Sequence, residues 1–155
     1  MIIKTKVFGE IDLDESKIIT FEKGILGFED FKQFTLLYDL EEEYRSHISW
    51  LQCVEEPSLA LPVVAPFVVK PDYNPTVEDE LLKSVGNLNT ENLVVLLTLT
   101  VPKELEEMSV NLKAPIIINS EEKKGIQVIA DNQDYEIKYK VYDIIRKMKD
   151  EKGEM

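Results

Sequence analysis

Apolar and polar residues alternate along most of the chain in short runs, and turn residues break these runs at close intervals. Residues 1–8 alternate, Gly9-Glu10 turns, and Ile11-Asp12-Leu13 resumes, which predicts a short antiparallel pair. Residues 17–21 (KIITF) and 34–38 (FTLLY) read as further strands. Between them, Gly24 and Gly27 punctuate Ile25, Leu26 and Phe28, so this loop is expected to fold its apolar residues back onto the core. Residues 48–54 and 59–64 flank a Glu55-Glu56-Pro57-Ser58 turn and predict a hairpin. Five of the seven prolines (Pro57, Pro62, Pro66, Pro71 and Pro75) fall in or just after it. Proline cannot donate to a ladder, so they mark this hairpin as having one irregular rim.

Further along, Val77, Leu81 and Val85 recur every four residues, with Thr76 as N-cap, Asp79 in the capping box and Gly86 as the stop. A short amphipathic helix is expected over 77–85. Residues 93–101 (LVVLLTLTV) form the longest unbroken apolar run, which predicts a central strand buried on both faces. A polar connector at 103–109, strands at 110–112 and 115–119, a turn at 120–125 (SEEKKG) and strands at 126–130 and 135–140 follow. Val141, Ile144, Ile145 and Met148 then take helical spacing over 141–149, with a frayed tail at 150–155. Many short strands with only two or three short helices point to one mainly β domain over 1–149. An antiparallel β-barrel-like or sandwich-like fold is expected.

At 155 residues the chain has the length of a single domain that buries a core without staples. No apolar run reaches the roughly 20 residues that cross a bilayer, and the first residues lack a signal-peptide pattern. A cytoplasmic protein is expected, with no membrane partner. Cys53 is the only cysteine, so no intramolecular disulfide can form. The net charge of −12 is carried almost entirely by residues 1–120, where 21 acids face 10 bases. Such a body repels phosphate and favours encounter with a basic polypeptide.

Catalytic chemistry is thinly represented. His47 is the only histidine, which rules out a site with two histidine ligands, and no phosphate loop or nucleophile elbow is present. The glutamates at 41–43 read as a solvated face, with Asp39 and Glu42 as a capping box. No catalytic residue, metal or cofactor is assigned. Trp50, Phe67 and Tyr73, around the proline-rich rim, suit the gripping of a protein. Two other classes remain open on the residues alone: a single-stranded nucleic-acid-binding barrel, which the charge opposes, and a small hydrolytic enzyme using His47.

Several stretches together resemble one known family, the bacterial flagellar assembly factor FliW. They are FEKGILGFE at 21–29, Leu51-Gln52-Cys53 followed by Glu55-Glu56-Pro57, Pro66 with Asp72-Tyr73, VNLKAPIIIN at 110–119 and GIQVI at 125–129. Leu26, Leu61 and Ala65 depart from the residues usual there. The resemblance implies a non-enzymatic β-barrel protein that binds the C-terminal region of flagellin. It also implies that the chain antagonises the RNA-binding translational regulator CsrA, so that flagellin level is coupled to flagellin translation. No direct nucleic-acid contact is expected, and the chain alone is expected to be a monomer. A groove beside the hairpin would accept an amphipathic flagellin helix. Phe28, Trp50, Gln52, Phe67 and Tyr73 would line it, and Glu29, Glu55, Glu56 and Asp72 would form its polar rim. Residues 39–120, with 14 acids against 5 bases, would face the regulator.

Overall fold

The computed structural model describes residues 1–38 and 48–153. The expectations at Asp39, at the glutamates 41–43 and at His47 fall outside them. Strands β1 (Ile2–Thr5) and β2 (Gly9–Asp12) pair antiparallel, as their alternation predicts, with Ile3 opposite Ile11. Their turn occupies residues 6–8 rather than Gly9-Glu10, and Thr5 Oγ1 organises it by donating to Gly9 O and accepting from Phe8 N–H. Asp14 caps a 3-10 turn at Glu15–Lys17 by accepting from Ser16 N–H, which shortens the next strand, β3, to Ile19–Thr20.

Strands β4 (Gln33–Tyr38), β5 (Ile48–Cys53) and β6 (Ala60–Val64) form an antiparallel meander, with Leu36 opposite Leu51 and Leu51 opposite Leu61. The chain then turns through a four-residue helix, α1 (Pro66–Val69), and a 3-10 helix at Asp79–Val85 into β7 (Leu93–Thr100). Strands β8 (Ser109–Val110), β9 (Ile116–Asn119), β10 (Lys124–Gln127) and β11 (Tyr139–Lys140) follow, then a C-terminal helix, α2 (Tyr142–Gly153). Neighbours run β7-β6-β5-β4-β3-β10-β9, and β9 pairs back onto β7, closing a seven-stranded barrel. One closing pair, Lys124 with Thr20, is parallel; the other ladders are antiparallel. The mainly β barrel expected from the pattern is the fold observed.

Phe21, Ile25, Phe34, Leu51, Cys53, Val63, Leu96, Ile116 and Ile118 make one cluster inside the wall. Phe21 meets Phe34 edge-on at 5.5 Å. It fits because residue 125 is glycine: a Cβ there would stand 2.5 Å from the Phe21 ring. The next residue of β7 after Leu96 faces the other way, and Leu97 and Leu99 pack outside with Val64, Val69, Val110 and Val141. The centre of β7 is therefore buried on both faces, as its nine-residue apolar run predicts. A third cluster puts Ile117 and Ile126 under Val85 of the 3-10 helix.

The structure corrects several element expectations; β10, for one, starts at Lys124 inside the expected 120–125 turn and ends at Gln127 rather than residue 130. In place of a helix over 77–85, a 3-10 helix spans Asp79–Val85, with Glu78 at its N-cap. Thr76 cannot cap it, because its N–H donates to Asn132 Oδ1 and its carbonyl accepts from Asp131 N–H. The strand expected over 135–140 shrinks to β11, since Tyr135 turns inward onto Tyr73 and Glu136 O accepts from Leu112 N–H. The tail expected from Asp150 is instead helical as far as Gly153.

Candidate functional site

The residues expected to form one partner surface lie at two ends of a hairpin strand. Strand β6 separates the 54–59 turn from α1, and its five residues at roughly 3.3 Å each span about 17 Å. Phe28, Glu29, Gln52, Glu55 and Glu56 gather at the turn end. Phe67, Asp72 and Tyr73 gather at the α1 end. Trp50 sits between them on β5, opposite Pro62, and meets the edge of Phe8 at 6.3 Å. The β1–β2 hairpin thus covers Trp50, and a groove of about 280 Å³, lined by Phe8, Ile11, Leu13, Leu36 and Leu37, runs beside it.

At the turn end, Gly24 adopts φ +68° and a Cβ there would strike the Glu29 backbone at 2.5 Å. Glycine at this place lets the loop fold over so that Ile25 and Phe28 bridge and Phe28 packs against the barrel core. Phe28 is half-buried, and Glu29 stands exposed beside it, accepting from Gly27 N–H at 3.2 Å. One Glu55 carboxylate oxygen accepts the backbone N–H groups of both Lys32 and Gln33, so this acid is committed to joining the turn to the 29–33 segment. Glu56 is exposed, and its N–H donates to Cys53 Sγ at 3.3 Å. Burial pushes the Cys53 thiol up from its ordinary range, the opposite of what a reactive thiolate needs. Gln52 has no accessible surface, so it acts on this turn from within rather than as a contact on its outside.

At the other end, Pro66 sits at the start of α1, where its missing N–H costs nothing. The short helix turns Val69 into the outer cluster and leaves Phe67 70% exposed. Tyr73 is half-buried, stacks on Tyr135 at 4.9 Å and donates its hydroxyl to Leu112 O at 2.8 Å. Burial, with Tyr135 adding to it, holds the Tyr73 phenol well above its usual range. Asp72 is exposed and pairs with Lys70 at 3.2 Å, and Lys70 Nζ lies about 6 Å from the rings of Tyr135 and Tyr139. The Asp72 carboxylate raises the Lys70 pKa, so the ammonium stays charged.

The polar residues that shape this end were missed in the sequence. Asn111 Oδ1 accepts from Lys113 and Ala114 N–H, bending the chain between β8 and β9 where Leu112 O receives the Tyr73 hydroxyl. The break expected between strands at 110–112 and 115–119 is present, but it begins at Asn111, one residue after β8 ends. Buried Asn119 bonds Val85 O, Asn87 O and Glu122, holding the 3-10 helix against the 120–123 turn. Among the described residues no cluster of three or more His, Cys, Asp or Glu could hold a metal ion. No helix among them is long and apolar enough to cross a membrane. The expected contact residues thus fall at two ends of β6, with Glu29 and Glu56 exposed at one and Phe67 exposed at the other.

Comparison with known proteins matches residues 2–141 to the family described as FliW protein. The flagellar assembly factor FliW of Lachnospira eligens is 53% identical over 148 residues, covering 95% of this chain and 98% of that protein. Its counterpart in Lachnoclostridium phytofermentans is 54% identical over 155 residues, covering 99% of each. A crystal structure of the flagellar assembly factor FliW superposes with a TM-score of 0.81 at 34% identity, covering 91% of this chain and 96% of that one.

Proposed function

The chain belongs to the FliW family, and on that premise we propose that it serves flagellar assembly by holding other polypeptides, without making or breaking bonds. Its relatives are named as assembly factors and not as enzymes. Flagellin is the first partner, bound through its C-terminal helical region. The RNA-binding regulator CsrA is the second, and capturing it relieves repression of flagellin translation. Both meetings take place in the cytoplasm, with the chain monomeric when alone.

The observation that carries this reading is Phe67, a large aromatic side chain 70% exposed on α1, whose Val69 is anchored in the outer cluster. Exposed aromatics on rigid elements are the residues that become binding anchors. An amphipathic flagellin helix laying its apolar face across Phe67 gives it the cover it lacks. The acidic turn end, with Glu29, Glu55 and Glu56, suits the cationic regulator. Calorimetric titration with flagellin tests the first assignment. Phe67→Ala is expected to leave the fold intact and weaken binding at least 10-fold; unchanged affinity in the folded variant removes the apolar end from the flagellin site.

A further inference from the structure

Gln52 is a polar side chain buried within the hairpin, and its burial is not explained by the apolar core. It is fully buried, yet its side chain carries two donors and an acceptor. The Nε2 group lies 2.9 Å from Cys53 O, 2.9 Å from Pro57 O and 3.2 Å from Leu59 O, so two hydrogens serve three carbonyls of one turn. The Oε1 atom is buried and is the one such side-chain atom without a partner among the described residues. An apolar side chain of the same length would avoid that desolvation. It would also leave two of the three carbonyls with donors, because Leu59 O accepts from Cys53 N–H and Pro57 O from Lys6 N–H. Global stability therefore gains little from the amide. What the amide does is stitch both limbs of the 53–59 turn together from beneath. From above, Glu55 ties the same turn to Lys32 and Gln33.

We propose that Gln52 is a positioning residue for partner binding, holding the 54–58 turn in the single conformation that presents its acidic rim to a cationic polypeptide. The inference rests on the functional reading above and adds to it how the acidic end is kept ready. Glu29 and Glu56 are both exposed, as is Leu26, Phe28 is half-buried, and the Lys32 ammonium is turned onto Glu29 O at 2.6 Å. The segment this rim fits is an apolar surface edged with lysine or arginine. A loosened turn would visit that conformation only part of the time, and apparent affinity falls by the competent fraction. The loss enters the association rate, because the complex once formed is unchanged.

The test compares the unmodified chain with Gln52→Met and Gln52→Leu, using the purified CsrA regulator as probe. Stopped-flow association, dissociation and amide hydrogen exchange are measured on each. Both variants are expected to stay folded, to exchange the amides of residues 55–59 faster, and to associate about 10-fold more slowly with unchanged dissociation. Faster exchange with an unaltered association rate overturns the proposal, as does unaltered exchange. Loss of the fold in both variants makes Gln52 a core residue and equally overturns it. Absence of binding by the unmodified chain sinks the functional reading and this inference together, whereas equal binding rates in all three chains sink the inference alone.

Discussion

Tyr73 illustrates how a single side chain can be read for recognition and turn out to be committed to structure. Its place between Asp72 and Asn74, in a loop rich in proline, suggested an exposed aromatic, yet its hydroxyl is spent on Leu112 O and its face on Tyr135. Tyr73→Phe removes that one hydrogen bond and should cost about 1 kcal/mol in denaturant unfolding. The raised Tyr73 and Cys53 pKa values give a second expectation. Both groups stay protonated in the folded chain at pH values where they ionise once unfolded, so their stabilisation is complete below the unfolded values of 9.0 and 10.0 and declines as pH rises beyond them. Unfolding midpoints should fall above about pH 9, and Tyr73→Phe should flatten the part of that fall above pH 10.0; an unchanged alkaline slope contradicts the account. Phe67 is the reverse case, where an aromatic beside proline is exposed as its sequence setting suggests. Neighbouring residues along the chain say little about which way a loop aromatic faces, because that depends on what packs behind it. For Tyr73 that is Tyr135, sixty-two residues later in the chain.

At the scale of elements, strands with clear alternation or a long apolar run were legible. The β5–β6 hairpin and β7 stand within a residue of where their patterns place them, and the β1–β2 pair forms although its turn lies at 6–8. Elements shaped by distant polar contacts were not. Thr76 looks like a helix cap, but Asn132 and Asp131 tie its backbone and the 3-10 helix begins only at Asp79, and the Asn111 carboxamide starts the turn after β8 earlier than the apolar residues suggest. Removing that carboxamide, as in Asn111→Ala, leaves the N–H groups of Lys113 and Ala114 without their acceptor. A loss of about 1–3 kcal/mol is expected in urea unfolding. The close contact of Gly125 with Phe21 is likewise invisible locally. Gly125→Ala should cost at least about 1–3 kcal/mol, because the new methyl overlaps a ring that is itself fully buried. A variant as stable as the parent would mean that the barrel wall yields more readily than its packing implies.

For the whole molecule, the two ends of β6 lie about 17 Å apart, and the expected contacts divide between them, with exposed Glu29 and Glu56 at one end and exposed Phe67 at the other. Charge follows the same division only in part: the acids of the turn end lie on a chain whose net charge is −12, which strengthens long-range attraction of a cation. Association with the basic regulator should slow several-fold between about 0.05 and 0.5 M salt, as the Debye length shrinks from roughly 14 to 4 Å. A salt-independent rate would remove electrostatic steering from the account. The central claim, that this fold works by binding polypeptides, is tested most directly by titrating the unmodified chain with purified flagellin in a calorimeter. The account predicts a saturable one-to-one complex that Phe67→Ala weakens at least 10-fold. No heat and no complex at any accessible concentration would contradict it.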